Sequence, residues 1–195
     1  ENILSKLYYI ARNAQKKDRI LIFYSGHGET ISFPTGGEVG YLVPVNAKPD
    51  DLIVTGISME EFKKISDLTI ANQVLYLVDA CYSGIMTVGK GIKRKKFDND
   101  EEYIKYVTSL PSKQIITAGG KDDEVIEKAI WGHSAFTKEL LSGIEDGLAD
   151  SGQDPDGYIT AEELSLYLSK SVFITSDENQ KPIDGRYGSG EGEFV

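Results

Sequence analysis

The sequence is poor in the residues that build covalent or metal scaffolds. Its 195 residues include one cysteine, Cys81, and two histidines, His27 and His133. One thiol cannot close an intramolecular disulfide, and a cysteine-based zinc site needs several thiolates, so both are excluded. The same scarcity fits a reducing, cytoplasmic setting. No apolar run approaches the roughly 20 residues that cross a bilayer, and no basic-then-apolar leader opens the chain. Basic residues are also few, with 21 Lys and Arg against 31 Asp and Glu, a net charge of −10 and a pI of about 4.7. That balance speaks against nucleic acid as a partner, because phosphate binding needs a basic face. It favours cationic ligands or simply an acidic solvated surface. There is no internal repeat and no low-complexity tract. The length suits one domain, residues 1–195, with a core of its own.

What is present alternates between two periodicities. Ile3, Leu7, Ile10, Ala11 and Ala14 recur at helical spacing, predicting a helix over residues 3–14. Residues 20–24, 74–78 and 114–118 are short continuous apolar runs, the pattern of strands buried on both faces of a parallel sheet. A short strand is expected over residues 40–45. A helix over residues 58–65 would open on a capping box of Ser58 with Glu61. Helices are expected over residues 134–144, with Ser134 as N-cap, and 160–172. Residues 89–102 pass from a basic cluster to an acidic one and read as an exposed, mobile loop. Residues 193–195 read as an edge strand. Strands alternating with helices predict an α/β three-layer sandwich, a mostly parallel central sheet with helices on both faces. In such sheets ligands bind outside the carboxyl ends of the strands.

Two such ends carry chemistry. The first apolar run stops at Ser25-Gly26-His27-Gly28 and the second at Asp79-Ala80-Cys81-Tyr82-Ser83-Gly84. If the two strands are parallel neighbours, His27 and Cys81 stand on the same sheet edge. An imidazole near a thiol raises the thiolate fraction and can later protonate a leaving amine. The glycines beside His27 let the backbone approach a substrate closely, and the amides of Gly28 and Cys81 are natural donors to a tetrahedral oxyanion. His133 is the other candidate base. The alternatives are an inert core thiol at Cys81 and a loop histidine at His27. A serine hydrolase finds no support, since no Gly-x-Ser-x-Gly elbow exists in the chain.

Phe23-Tyr24-Ser25-Gly26-His27-Gly28 and Asp79-Ala80-Cys81-Tyr82-Ser83-Gly84 together resemble the histidine and cysteine blocks of caspase-like peptidases. The match is closest to bacterial caspase homologues, then metacaspases and paracaspases; the wider clan includes legumain and gingipains. The separation of 81 − 27 = 54 residues is close to that of caspases. Tyr41-Leu42-Val43-Pro44, Thr117-Ala118-Gly119-Gly120, His133-Ser134-Ala135-Phe136-Thr137, Asp156-Gly157-Tyr158-Ile159-Thr160 and Gly192-Glu193-Phe194-Val195 extend the likeness over nearly the whole chain. The resemblance implies a cysteine endopeptidase with a Cys81–His27 dyad. In this family the residue two before the cysteine lines the primary specificity pocket. Here it is Asp79, which implies cleavage after Arg, or Lys, rather than after Asp. The structural alternative has Asp79 capping a turn. Ala118, Gly119 and Gly120 would offer an edge on which an extended substrate pairs. Lys93, Arg94, Lys95 and Lys96 fall where the family carries a processing loop, a candidate for self-cleavage or simply a solvated loop.

The sequence also departs from the pattern. The family places an interior strand and a helix before the helix at residue 3, and neither is present, so an upstream segment or companion chain completing the sheet is expected. The calcium site of many metacaspases has no counterpart at Ser58-Met59. A weak EF-hand likeness over residues 152–163 places Asp154, Asp156, Gly157 and Glu163 at positions 3, 5, 6 and 12, with Gly152 at position 1 lacking a ligand oxygen. The expectation is therefore no metal and no cofactor, a peptide or protein substrate with a basic residue, and no nucleic-acid or membrane partner. The rival function is a catalytically silent caspase-like module that binds a partner.

Overall fold

Strand β5, Gln73–Cys81, is the spine of the molecule. Val74, Tyr76, Val78 and Ala80 join one apolar cluster, and Leu75 and Leu77 the other, because successive side chains of a strand point to opposite faces. The computed structural model describes residues 2–81, 97, 99–120, 123, 125–150 and 155–195, and Cys81 by its backbone alone. The order is α1 (Ile3–Asn13), β1 (Arg19–Ser25), β2 (His27–Ser32), β3 (Glu38–Val43), a 3₁₀ turn at Pro49–Asp51, α2 (Leu52–Thr55), β4 (Ile57–Ser58), α3 (Glu60–Leu68) and β5. Then follow α4 (Asp100–Ser109), β6 (Ser112–Gly119), β7 (Glu127–Lys128), β8 (His133–Ser134), α5 (Ala135–Glu145), α6 (Ala161–Thr175) and β9 (Ile183–Arg186).

The central sheet has the order β1-β5-β6-β9. β1, β5 and β6 are parallel, and β9 runs antiparallel to β6. On one face Leu7 and Ala11 of α1 and Phe62 and Ile65 of α3 pack on Ile20, Val74, Tyr76 and Ile115. Phe62 stacks on Tyr76 with ring centroids 4.6 Å apart, and Tyr187 meets Tyr76 edge-on at 5.8 Å. On the other face Phe136 and Leu140 of α5 and Leu164, Leu168 and Val172 of α6 cover Leu75, Leu77 and Ile116. This is the expected three-layer α/β sandwich. β2, β3 and β4 form a separate antiparallel sheet.

Four expectations are corrected. β1 is not buried on both faces: Leu21 is 51% exposed and Phe23 45%, because β1 is an edge strand and the α5–α6 layer stops short of it. There it leaves an apolar groove of about 360 Å³ whose lining includes Leu21, Leu77, Ile144, Ile159 and Phe194. The Ser58–Glu61 capping box does not form. Ser58 Oγ accepts from the amide of Glu60 at 3.2 Å, while the Glu61 carboxylate accepts from Tyr8 Oη at 2.6 Å and from Lys64. Tertiary and next-turn partners outcompete the local cap.

The acidic end of the expected loop is the first turn of α4. Asn99 accepts from the amide of Glu102 at 2.9 Å, and Asp100, Glu101 and Glu102 sit where the helix dipole favours negative charge. Residues 193–195 form no strand. Instead Glu193 is fully buried, held by the guanidinium of Arg186 and by Gln114 Nε2 at 2.8 Å. The tail reaches this position because the chain lacks a side chain at Gly192, where a Cβ would lie 2.3 Å from the carbonyl oxygen of Leu110. The capping box that does form is Thr160 with Glu163 at the head of α6. Among the described residues no helix is long and apolar enough to cross a membrane.

Candidate active site

β1 and β5 pair in parallel with Ser25 opposite Asp79, and the amide of Gly26 donates to the carbonyl of Asp79 at 3.2 Å. The chain then turns sharply, and His27 opens β2, opposite Val43 of β3. Cys81 is the last residue of β5 and stands opposite Gly119 of β6, after a register shift between Val78 and Cys81. His27 and Cys81 therefore leave the carboxyl edge of the same sheet, each two residues beyond the Ser25–Asp79 pair. This edge is where open α/β sheets bind ligands.

The turn carrying His27 is held from beneath. Tyr24 Oη lies 3.1 Å from the carbonyl oxygen of His27 and 3.3 Å from that of Val43, as donor to both. Burial pushes the Tyr24 phenol above its ordinary pKa, so the proton that makes these bonds stays in place. A Cβ on Gly26 would come within 2.7 Å of Tyr24 Oη. A side chain there would have to displace the phenol that braces the turn. His27 itself is exposed and Gly28 half-buried, opposite Leu42.

Asp79 is 2% exposed. Its Oδ2 accepts from Ser134 Oγ at 2.5 Å, from Thr137 Oγ1 at 2.5 Å and from Ser25 Oγ at 3.3 Å. Its Oδ1 is buried and has no hydrogen-bond partner among the described residues. These donors are side-chain hydroxyls from β8, α5 and β1 rather than turn amides, an arrangement different from a turn cap. Ser134 is also the N-cap of α5, accepting from the amide of Thr137 at 2.9 Å. Nothing in the sequence plainly marks Tyr24, Ser25 or Thr137 for this site, and Ser134 is marked only as a cap. The signal was faint: Ser25 stands two residues before His27 as Asp79 stands two before Cys81, and Ser134 and Thr137 share the first turn of a helix.

The other named residues are distributed as follows. Ala118 is buried and its carbonyl accepts from Gln180 Nε2 at 3.0 Å. The amide of Gly120 donates to Asp123 Oδ2 at 2.7 Å, and a Cβ on Gly119 would lie 2.8 Å from Asp123 Cβ. Two of the polar groups expected to pair a substrate thus have internal partners. His133 sits in β8 with Nδ1 3.2 Å from the carbonyl oxygen of Ser134. Lys93, Arg94, Lys95 and Lys96 lie outside the described residues, as do Gly152 and Asp154. Of the remaining EF-hand candidates, Glu163 Oε2 is used by the amide and hydroxyl of Thr160, both at 2.9 Å. Asp156 Oδ1 accepts from the amide of Tyr158 at 2.8 Å. Among the described residues no group of three His, Cys, Asp or Glu side chains is arranged to hold a metal.

The sequence matches the caspase domain of peptidase group C14 over residues 1–182. The chain belongs to the caspase domain family. Membership supports a cysteine-peptidase kind of function. No curated protein gives a significant match. Among solved structures, this caspase domain is similar to a protein from Geobacter sulfurreducens. The sequence identity is 16%, the TM-score is 0.57, and the alignment covers 95% of this chain and 72% of that one. At that identity the likeness shows a shared fold and nothing of substrate.

Proposed function

We propose that the chain is a cysteine endopeptidase that hydrolyses peptide bonds after a basic residue, Arg or Lys, through a Cys81–His27 dyad. The observation that carries this reading is the buried Asp79 carboxylate with its Oδ1 unpartnered among the described residues, two residues from Cys81 on the sheet edge where His27 also stands. A buried acceptor left without a donor is costly, and a basic side chain of the substrate would supply the missing donor and a counter-charge. In the reaction the Cys81 thiolate attacks the scissile carbonyl carbon, and the oxyanion accepts from the amides of Gly28 and Cys81. The C–N bond breaks as His27 protonates the leaving amine, giving a thioester. His27 then takes a proton from water, whose oxygen attacks the thioester, and the acid leaves with Cys81 restored.

The same reading has the substrate pair as an extended strand beside Ala118, Gly119 and Gly120, displacing Asp123 from the Gly120 amide. It has the basic run at Lys93, Arg94, Lys95 and Lys96 serve as a self-cleavage site. It also has a further strand, from an upstream segment or companion chain, pair along β1. The exposed Leu21 and Phe23 and the apolar groove beside them support that last element. A cytoplasmic enzyme working without metal or cofactor completes the proposal.

The test is hydrolysis of paired fluorogenic peptides, with Arg or Asp before the scissile bond, by wild-type protein and Asp79→Ala. Arg cleavage lost in the variant is expected; Asp cleavage would overturn the specificity. The rival, a silent binding module, predicts that iodoacetamide modifies Cys81 no faster than a free thiol and that His27→Ala leaves that rate unchanged.

A further inference from the structure

The three hydroxyls around Asp79 do not share its two oxygens. All converge on Oδ2, one from the end of β1 and two from the head of α5, and Oδ1 receives none among the described residues. A carboxylate offers about four lone-pair sites, two on each oxygen, over which donors can be spread. Crowding one oxygen and leaving the other empty fixes the side chain instead. The terminal torsion of Asp is otherwise soft and nearly two-fold, so an unrestrained carboxylate would present either oxygen, or neither, to a ligand. The contacts at 2.5 Å lie in the range of charge-assisted O–H···O bonds. They come from Ser134 and Thr137, and the Ser134 hydroxyl is itself held at the first turn of α5 by the Thr137 amide, which donates to its Oγ.

We infer that Thr137, together with Ser134, is a positioning residue for substrate specificity: it holds Asp79 through Oδ2 so that Oδ1 alone receives the cation of the substrate. The inference rests on Asp79 being the specificity acid. It changes the geometry of recognition. A guanidinium fork would otherwise take both carboxylate oxygens; here one oxygen is already spent, and the cation makes a single contact. An ammonium can make that contact as well as a guanidinium, so Lys peptides should be accepted alongside Arg peptides.

Thr137 gives the cleaner variant, because Ser134→Ala would also remove the cap of α5. Thr137→Val keeps the shape and removes the donor; Thr137→Ser keeps the donor. Steady-state kinetics on Arg and Lys peptides should show KM raised about tenfold in Thr137→Val, the order expected for losing one hydrogen bond to a charged group. kcat should stay within about twofold, and Thr137→Ser should return KM to the wild-type value. A merely structural role for Thr137 would lower the melting temperature and the active fraction without moving KM, and that result would overturn the inference. Asp79→Asn read in the same assay separates the two layers. If Asp79→Asn leaves KM for both peptides unchanged, the specificity reading itself fails. If Asp79→Asn raises KM while Thr137→Val does not, only the positioning role fails. Benzamidine binding followed by calorimetry provides a readout independent of turnover, with the same order of affinities expected across the variants. Wild-type protein that neither cleaves the basic peptides nor binds benzamidine overturns both.

Discussion

Ser25 and Asp79 face each other across the β1–β5 ladder, with Ser25 Oγ 3.3 Å from Asp79 Oδ2. They are 79 − 25 = 54 residues apart, the same separation as His27 and Cys81. The two separations are equal because His27 and Cys81 each lie two residues beyond a pair that is in register across the parallel ladder. The interval between the motifs thus measures one complete crossover, from the end of β1 through the β2–β3 hairpin and α3 back to the end of β5.

His27→Ala and Cys81→Ala should each lower peptide hydrolysis at least about a hundredfold, the usual cost of removing an essential acid–base group or nucleophile. Because His27 is exposed, His27→Ala should leave the melting temperature close to wild type. A His27→Ala enzyme that keeps most of its kcat would remove His27 from the mechanism.

Tyr24→Phe deletes the hydroxyl that braces the His27 turn, and Gly26→Ala pushes a methyl into that hydroxyl. Each should cost about 1 kcal/mol or more in stability and slow turnover by displacing the imidazole. Combined, they should cost less than their sum, because removing the hydroxyl frees space for the methyl. Urea denaturation and kcat for the two single variants and the double variant test this coupling; strict additivity would show that the contact is not what excludes a side chain at residue 26.

Tyr76 is fully buried between Phe62, Ser66 and Tyr187, and burial pushes its phenol up to about 12. In the unfolded chain the phenol ionises near 10. Below pH 10 both states hold the proton and the stabilisation is complete. Between pH 10 and about 12 only the unfolded chain ionises, so stability falls as pH rises, by about 3 kcal/mol in all for this group. Burial raises Tyr187 as well, steepening the same limb. Tyr76→Phe should flatten the loss over this window in chemical denaturation, at the cost of the bonds to Ser66 and the Phe62 carbonyl at neutral pH. An unchanged alkaline slope would contradict the assignment.

Arg186→Met or Glu193→Gln alone strands a buried partner and should cost about 3–5 kcal/mol. The Arg186→Met/Glu193→Gln double variant should cost clearly less than the sum of the two, because no unpaired charge then remains buried. Equal additivity would show that the ion pair contributes nothing beyond its separate contacts.

The parallel core was legible because burial on both faces writes itself as an unbroken apolar run, and the runs ending at His27 and Cys81 were the strongest two. The same rule misled for β1, whose apolar residues include Leu21 and Phe23 on a face that this chain leaves open. α4 was missed because its acidic first turn, Asp100 to Glu102, looks identical in sequence to a solvated charge run; only the Asn99 cap distinguishes it. Glu61 was assigned to a local cap because nothing near it in sequence announces Tyr8, 53 residues away. The hydroxyl cradle of Asp79 was illegible for the same reason. Its members come from sites 54, 55 and 58 residues distant, and serine and threonine carry no pattern that points across such intervals.

The tail closes the molecule on itself. Arg19 Nη1 donates to the carbonyl oxygen of Val195 at 2.8 Å, across 176 residues, the amide of Ala161 donates to Phe194, and Gln114 grips both Glu193 and the Phe194 amide. Contacts of such sequence separation carry the highest loop-closure cost and form late. On the ribosome, β1, β5 and β6 emerge well before residues 193–195, at about 5–20 residues per second. Arg186 and Gln114 therefore lack their partner until Glu193 has emerged. For this domain, completion of the core is gated by its last three residues, and until they dock the sites of Arg186 and Gln114 stand without the carboxylate that joins them.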